Sequence, residues 1–500
     1  MIGSLAFRNI AYRPWRSVLL FFGFGVGVAV MIVLLSIGEA MLSQARNEKL
    51  VGGGTVTVLP EGLDVEVMKT GGIGGLFFSI DHAAFLYRQL FASPRLASQI
   101  AAVAPQIERR LLYVRTGDGH EFPVQAAGEI PSLTQAVGAA AEVINGNWAD
   151  DEGDRRWAHP TLVDLRNQID HFHVPSDSVA NRDTWAEWHY FNVISPGGKR
   201  WAFISFIIGG DLTGNKWGGQ IGITLREEGG RTRRFAQPVD RSVIRFSTTD
   251  ANLLFGDSHV TVLPNGDYDV KASATEESSR GRIDLQLRVR PDPYAYFPGV
   301  AMGSGNFVSG YTVPGLRANA SGKLCVDGTC ENVNDTQSYH DHNWGVWRGV
   351  TWDWGATRAG KYTVLYGRVY PPDTSSSVPP VLVYLVDSSG FRAVFRPKNI
   401  SYTDGRTVST SNGLLQVPST ASFADVRGDD TLRVDLEIED AIATDTRPRA
   451  GKGEAERGDP LRTTKAHPFF IQMKGTARIS GRLEGLPLTG SGTGFFETYR

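Results

Sequence analysis

Residues 282–290 read RIDLQLRVR, so that apolar side chains alternate strictly with charged or polar ones. A period of two sends successive side chains to opposite faces of a β-strand, and one apolar face with one polar face is typical of an antiparallel sheet. The same alternation recurs at 432–439 and 471–483. These three segments predict a protein built mainly from antiparallel sheets.

Turn signals separate the predicted strands. Dipeptides that favour tight turns occur at Gly197-Gly198, Asn265-Gly266, Asp327-Gly328 and Asp404-Gly405. No pronounced helical pattern interrupts residues 185–440. Because the β-rich region exceeds a single up-and-down barrel about twofold, we expect two barrels or sandwiches.

The composition restricts the function. Hydrophobic residues make up 41% of the 500 residues and charged residues 21%, which excludes a disordered chain and a polytopic membrane protein. The 51 basic and 53 acidic residues give a net charge of −2, so we expect no nucleic-acid partner. Two cysteines cannot stabilise a chain of this length, so the core must be hydrophobic.

The N-terminal region carries one long apolar run. Residues 17–38 contain no charge, and about 20 apolar residues suffice to cross a bilayer. Arg8, Arg13 and Arg16 precede this run, which predicts a cytoplasmic tail at 1–16 and an extracytoplasmic location for the rest. We therefore expect a single-pass protein of the bacterial inner membrane. A cleaved signal peptide is the alternative, although its apolar core is usually about 7–15 residues long.

Residues 3–38 resemble the first segment of a MacB-type ABC-transporter permease, with the matching text LAFRNIAYRPWRSVLLFFGFGVGVAV. Weaker similarity continues at 51–62, 98–119 and 143–154. The resemblance implies a small α+β extracytoplasmic stalk at 39–155 and ABC-transporter subunits as partners. The further transmembrane helices of such a permease have no counterpart in the sequence, so we expect no transport path.

Polar and aromatic residues are concentrated at 184–192, which reads TWAEWHYFN, and at 339–347, which reads YHDHNWGVW. On a strand, Glu187 and His189 share one face, whereas Asp341 and His342 lie on opposite faces. Polar groups among aromatic residues suit a barrel interior better than a solvated surface.

These two segments, together with GTGFFETY at 492–499, resemble the AttH-like and carotenoid 1,2-hydratase-like proteins over residues 157–500. The resemblance implies two lipocalin-like antiparallel β-barrel domains, expected at 157–318 and 319–500. Members of that family act on large apolar molecules by acid-catalysed hydration, cyclisation or cycloaddition. An apolar small-molecule ligand is therefore expected.

The resemblance also suggests site residues. The expected catalytic residues are Asp341, His342 and Glu187. The expected ligand contacts are Trp185, His189, Tyr190, Trp344, Trp354, Tyr366, Arg368 and Glu497. We expect a single cavity at the junction of the two β-domains to be lined by Asp341, His342, Glu187, His189 and Arg368. For the same residues, a structural corner at 341–344 and a satisfied buried pair of Glu187 with His189 are the alternatives.

The segment 361–370 departs from the carotenoid hydratases, in which a Tyr-x-Asp is expected on this strand. Tyr366-x-Arg368 stands in its place, and an arginine favours an anionic group on the ligand. His340, His342 and His189 could form a zinc set, because a His-x-His pair on a strand shares one face. The family resemblance implies no metal, so we expect neither a metal nor another cofactor.

Cys325 and Cys330 flank the turn dipeptide Asp327-Gly328. A two-residue turn there makes the cysteines cross-strand neighbours, about 4.5 Å apart at Cα, within the range of a disulfide. An extracytoplasmic location favours oxidation. A metal-binding or redox C-x₄-C motif is the alternative.

Three functions follow from the sequence. The first is a membrane-anchored lipocalin-like protein that binds a lipid or isoprenoid-like ligand in association with an ABC transporter. The second is a hydratase or cyclase of an isoprenoid or polyketide-like substrate. The third is a structural partner of a transporter without a ligand.

Overall fold

The computed structural model describes residues 14–47, 86–87, 90–91, 94–117, 119–137, 149–158, 162–177, 179–195, 198–277, 279–304, 307–372, 381–410, 413–446 and 467–500. The chain divides into two compact units. The first comprises residues 1–87 and 100–159, and the second comprises residues 88–99 and 160–500. Residues 48–85 of the stalk expected at 39–155 lie outside the described residues.

The first unit contains one long helix and a small α+β part. Helix α1 is Pro14–Asn47, and its span Pro14–Ser36 has a mean hydropathy of 2.9 with no part buried in the protein. This helix is long and apolar enough to be a membrane span or a signal sequence. The remaining elements of this unit are the antiparallel strands β1 (Gln106–Arg115) and β2 (Glu121–Glu129) and two short helices, Pro131–Ala136 and Glu152–Ala158.

The second unit begins with two short helices, Pro94–Ala97 and Leu162–Ile169, followed by a twelve-stranded antiparallel sheet. Its strands are β3 (Trp185–Ile194), β4 (Trp201–Asp211), β5 (Lys216–Arg226), β6 (Thr232–Val239), β7 (Ile244–Phe246), β8 (Leu253–Phe255), β9 (Ser258–Val262), β10 (Tyr268–Glu276), β11 (Arg282–Pro291), β12 (Phe297–Ser304), β13 (Phe307–Val326) and β14 (Thr329–Val346). Eight of them close a barrel in the order β11-β13-β14-β3-β4-β5-β6-β10, because β10 also pairs with β11.

A nine-stranded antiparallel sheet forms the rest of this unit, in the order β18-β17-β16-β15-β23-β22-β21-β20-β19. Its strands are β15 (Thr351–Ala359), β16 (Tyr362–Tyr370), β17 (Leu382–Asp387), β18 (Gly390–Phe395), β19 (Ser401–Thr410), β20 (Gly413–Arg427), β21 (Asp430–Asp445), β22 (Phe469–Leu483) and β23 (Leu486–Tyr499). The chain changes sheet between Val346 and Thr351, whereas the sequence placed the boundary at 318/319. The predicted mainly β fold is confirmed.

The strand periodicity places the cores. In β11, Ile283, Leu285, Leu287 and Val289 are buried in the barrel, as the alternation predicts. A second apolar core lies on one face of the nine-stranded sheet, and a third fills the layer between the two sheets. We call this third layer the junction.

One ion pair at the edge of the junction links the sheets. Arg226 of β5 donates from Nη2 to Oδ1 of Asp440 at 2.7 Å and from Nε to Oδ2 at 2.8 Å. Trp201 donates from Nε1 to the same carboxylate at 3.2 Å. A planar, doubly hydrogen-bonded pair of this kind fixes the relative orientation of the two side chains and also contributes charge attraction.

A disulfide joins Cys325 and Cys330 where β13 turns into β14. Asp327 and Gly328 occupy the turn with φ of 51° and 83°. Two successive positive φ values are those of a hairpin turn that Asp-Gly favours.

Candidate functional site

The paired strands β3 and β14 form a wall with a different polar site on each face. In the register of this pair, His342 lies opposite His189, and Asp341 lies opposite Tyr190. Alternation sends the first pair into the barrel and the second pair into the junction. Consecutive residues of β14 therefore serve two separate sites.

Inside the barrel, Asp170 follows the helix Leu162–Ile169 and is completely buried. Its carboxylate accepts a hydrogen bond of 2.6 Å from Nδ1 of His342 and another from the hydroxyl of Tyr268. Nε2 of His340 lies 3.3 Å from the same carboxylate. The hydrogen bonds from His342 and Tyr268 hold the segment after the helix against the barrel wall.

Glu187 is the second carboxylate inside the barrel. It accepts hydrogen bonds from the backbone N–H of His173 at 2.9 Å and from Nδ1 of the same residue at 2.8 Å. Nε2 of His342 lies 3.1 Å from Oε1 of Glu187. Burial by itself lowers the pKa of His342, but the two carboxylates outweigh burial and raise it to about 9.

In the junction, Asp341 lies within a chain of hydrogen bonds. The hydroxyl of Tyr339 donates to Oδ2 at 2.7 Å, and Nδ2 of Asn343 donates to Oδ1 at 2.6 Å. Nε1 of Trp354 donates in turn to the Tyr339 oxygen at 2.9 Å. Burial, followed by the nearby charge of Glu497, raises the pKa of Asp341 to about 8.

Glu497 of β23 is the second carboxyl group of the junction. Its Oε1 accepts a hydrogen bond of 3.0 Å from the hydroxyl of Tyr190, and its Oε2 accepts one of 2.9 Å from Nε1 of Trp352. Nε2 of Gln472 lies 3.4 Å from Oε1 and donates to it. Burial raises the pKa of Glu497, because the charged form loses its hydration.

A third polar group lies on the opposite face of the nine-stranded sheet. Asp353 accepts hydrogen bonds from the hydroxyls of Tyr370, Tyr402 and Thr498 at 2.6, 2.8 and 2.8 Å. On the same face of β16, the Tyr366 hydroxyl and Nε of Arg368 are buried and have no hydrogen-bond partner among the described residues. Arg368 does donate from Nη2 to the carbonyl of Lys398 at 3.1 Å.

Local glycines make room for the aromatic side chains of these sites. Gly367 lies opposite Trp354, and a Cβ at that position would approach the indole to 2.6 Å. Gly355 lies opposite Tyr366, where a Cβ would approach the ring to 2.3 Å. Each ring can lie flat across the neighbouring strand only because the facing residue has no side chain.

The structure separates the predicted site residues into three groups. Glu187, His189 and His342 meet inside the barrel, where Trp185 contacts Glu187 and Trp344 stacks on His173. Asp341, Tyr190, Trp354 and Glu497 meet in the junction. Tyr366 and Arg368 lie beyond the nine-stranded sheet. The prediction of one shared cavity is therefore wrong. Consecutive residues of a strand, such as Asp341 and His342, point to opposite faces and cannot line the same cavity.

Three residues of the barrel site, Asp170, His173 and Tyr268, were absent from the sequence prediction. Asp170 and His173 flank His171-Phe172 in the segment between the helix Leu162–Ile169 and strand β3. Phe172 is buried in the barrel core, so this segment closes over the interior. The available signal was the density of acidic and histidine residues just after an amphipathic helix.

No protein-family model and no curated protein matches the sequence. Among solved structures, the chain resembles AttH of Nitrosomonas europaea, with 16% identity, a TM-score of 0.42, and coverage of 65% of this chain and 96% of that one. CghA with Sch210972 gives 14% identity and a TM-score of 0.41, with coverage of 63% and 89%. Kievitone hydratase of Nectria haematococca gives 12% identity and a TM-score of 0.38, with coverage of 67% and 94%. These values describe a similarity of fold.

Proposed function

We propose that the chain is an enzyme that transfers protons to and from a large apolar substrate in the junction, as a hydratase or cyclase. One observation carries the proposal: two buried carboxyl groups, Asp341 and Glu497, each bound by a tyrosine hydroxyl in a layer of aromatic side chains. Aromatic surroundings suit an apolar substrate. Burying carboxyl groups in such a layer costs free energy of desolvation, which favours a functional role for them.

Glu497 is the group to which we assign the acid. Its burial favours the uncharged form, which can donate a proton to a carbon–carbon double bond. The alkene π electrons form the new C–H bond, and the positive charge moves to the neighbouring carbon. Aromatic faces of the junction stabilise that cation.

The cation then has two outcomes, and both return one proton. In hydration, water adds to the cation and loses its extra proton to the Glu497 carboxylate, giving an alcohol. In cyclisation, a second double bond or a hydroxyl of the substrate attacks the cation, and a C–H or O–H proton returns. Tyr190 and Gln472 orient the carboxyl group through their hydrogen bonds.

The test uses the full chain in detergent with a panel of polyprenols and prenylated phenols in deuterated water. Alkene protonation followed by hydration or cyclisation is expected to incorporate deuterium at carbon, which mass spectrometry detects. Glu497→Gln should abolish incorporation while substrate still binds, whereas Glu437→Gln, an exposed residue of β21, should retain it. Binding of the panel without incorporation by the unmodified chain would refute the enzyme.

A second candidate function is binding of an apolar ligand that carries an anionic group. The supporting observation is a pair of buried polar atoms for which the described part of the chain offers no hydrogen-bond partner, the Tyr366 hydroxyl and Arg368 Nε. Native mass spectrometry of co-purifying lipids tests it: Arg368→Leu should release the ligand, whereas Glu497→Gln should retain it. An association with ABC-transporter subunits stays a prediction from residues 3–38 alone.

A further inference from the structure

We propose that Asp170, His189 and His340 bind a divalent transition-metal ion of the zinc type inside the barrel. The site lies on the opposite face of β14 from the junction, so the proposal is independent of the catalytic function above. All three side chains are completely buried.

The ligand atoms lie close to the spacing that a metal requires. Asp170 Oδ2 and His340 Nε2 are 3.3 Å apart, Asp170 Oδ1 and His189 Nδ1 are 3.9 Å apart, and one atom from each residue falls within 4.8 Å of the others. A tetrahedral zinc ion with bonds of about 2.0–2.2 Å sets its ligands roughly 3.3–3.6 Å apart. Small side-chain adjustments therefore suffice to bring the three atoms onto one ion.

The second nitrogen of each ring fixes the tautomer. Nε2 of His189 lies 2.9 Å from the carbonyl oxygen of Ala251, and Nδ1 of His340 lies 3.0 Å from that of Tyr190. A carbonyl oxygen only accepts, so these two nitrogens carry the protons. In the neutral rings, the lone pairs of His189 Nδ1 and His340 Nε2 then point toward Asp170. Metal-binding histidines are usually oriented by hydrogen bonds of this kind.

His189 Nδ1 is the atom whose surroundings most favour a bound cation. It is completely buried, and the described residues offer it no hydrogen-bond partner. A buried acceptor without a partner is costly, and the carboxylate that faces it cannot donate a proton while ionised. A cation bound between the two would use both lone pairs.

Asp170 is itself oriented by its neighbours. Tyr268 and His342 both donate to its carboxylate, and His342 also lies 3.1 Å from Glu187. His342 therefore supports the carboxylate and is not counted among the ligands. Two imidazoles and one carboxylate suit zinc, iron or cobalt better than calcium or magnesium.

The expected role of the ion is structural. Asp170 follows a helix, whereas the two histidines belong to β3 and β14. The ion would therefore connect the segment that covers the barrel interior with the barrel wall. Binding to a site that only the folded chain forms adds to folding free energy.

The test uses the full chain purified in detergent without a histidine tag. Mass spectrometry of the metals should find about one ion per chain, and Co²⁺ titrated into chelator-treated protein should give the visible absorption of a low-symmetry site. Asp170→Asn and His189→Gln should lower metal affinity at least about tenfold. His259→Gln, a partly exposed histidine outside the set, should retain the wild-type stoichiometry.

Circular dichroism of each variant separates lost metal from lost folding. If the variants do not fold, the unmodified chain decides: a chelator should lower its melting temperature and Zn²⁺ should restore it. Wild-type protein that binds neither Zn²⁺ nor Co²⁺ and melts identically with and without chelator would overturn the site. Undiminished metal in a folded Asp170→Asn variant would do so equally.

Discussion

Tyr190 of the barrel donates a hydrogen bond of 3.0 Å to Glu497 of the nine-stranded sheet. This bond crosses the junction and aims one oxygen of the carboxyl group. Tyr190→Phe keeps the ring and removes the donor, so we expect turnover of the polyprenol panel to fall about tenfold or more with little change in substrate binding. Steady-state kinetics separates the two quantities. Equal losses in kcat/KM and in binding would show that the tyrosine acts only in packing.

The stability of the chain should depend on pH through Glu497. Its pKa in the folded protein is raised above the ordinary value, so its stabilising contribution is complete below that ordinary value and is lost as the pH rises through the folded pKa. Glu497→Gln cannot titrate. The difference in free energy of unfolding, wild type minus Glu497→Gln, should therefore decrease as the pH rises above about 4, the ordinary pKa of a glutamate. Denaturant titrations at several pH values measure it, and a constant difference would contradict the assignment.

The ion pair between Arg226 and Asp440 should contribute measurably to the contact between the sheets. Both side chains are mostly buried, at 19% and 24% exposure, and the pairing is planar and doubly hydrogen-bonded. Asp440→Asn should lower the free energy of unfolding by about 1–3 kcal/mol. The exposed pair Lys199–Glu228 provides the matched control, and Glu228→Gln should change stability little. Equal effects at the two sites would refute a special role for Asp440.

The disulfide between Cys325 and Cys330 should make a modest contribution. Because the cysteines are five positions apart, the loop-entropy relation gives about 2 kcal/mol for the bridge. A double serine variant should therefore fold and lose about that amount in chemical denaturation. Alkylation of protein taken from the cell envelope should find no free thiol before reduction; two free thiols would contradict the bridge.

The helix Pro14–Asn47 should remain attached to the mature chain and anchor it. Intact mass measurement distinguishes an uncleaved anchor from a signal sequence, since cleavage removes the apolar span. Protease added to spheroplasts should degrade nearly all of residues 39–500. Full protection of the chain would reverse the expected topology, and a mature N-terminus beyond residue 38 would exclude the anchor.

The sequence predicted what depends on local pattern. The period of two in 282–290 identified the strand and its buried face, and the alternation in 339–344 already assigned Asp341 and His342 to opposite sides. Sites that depend on distant partners were not accessible in this way. Asp170 is held by hydrogen bonds from Tyr268 and His342, which lie 98 and 172 positions away, and no local sequence pattern predicts those contacts. The boundary between the sheets was misplaced because β13 and β14 read as strands equally well in either sheet.

The alternation along β14 has a consequence for how this chain can change. Odd-numbered positions from Tyr339 to Asn343 contact the junction, and even-numbered positions from His340 to Trp344 contact the barrel interior. Point substitutions can therefore change the side chains that face the junction while those that face the barrel interior stay the same, or the reverse. A single inserted or deleted residue in this stretch would move the side chains that follow it to the opposite face of the strand. Insertions and deletions should therefore be far less tolerated here than substitutions.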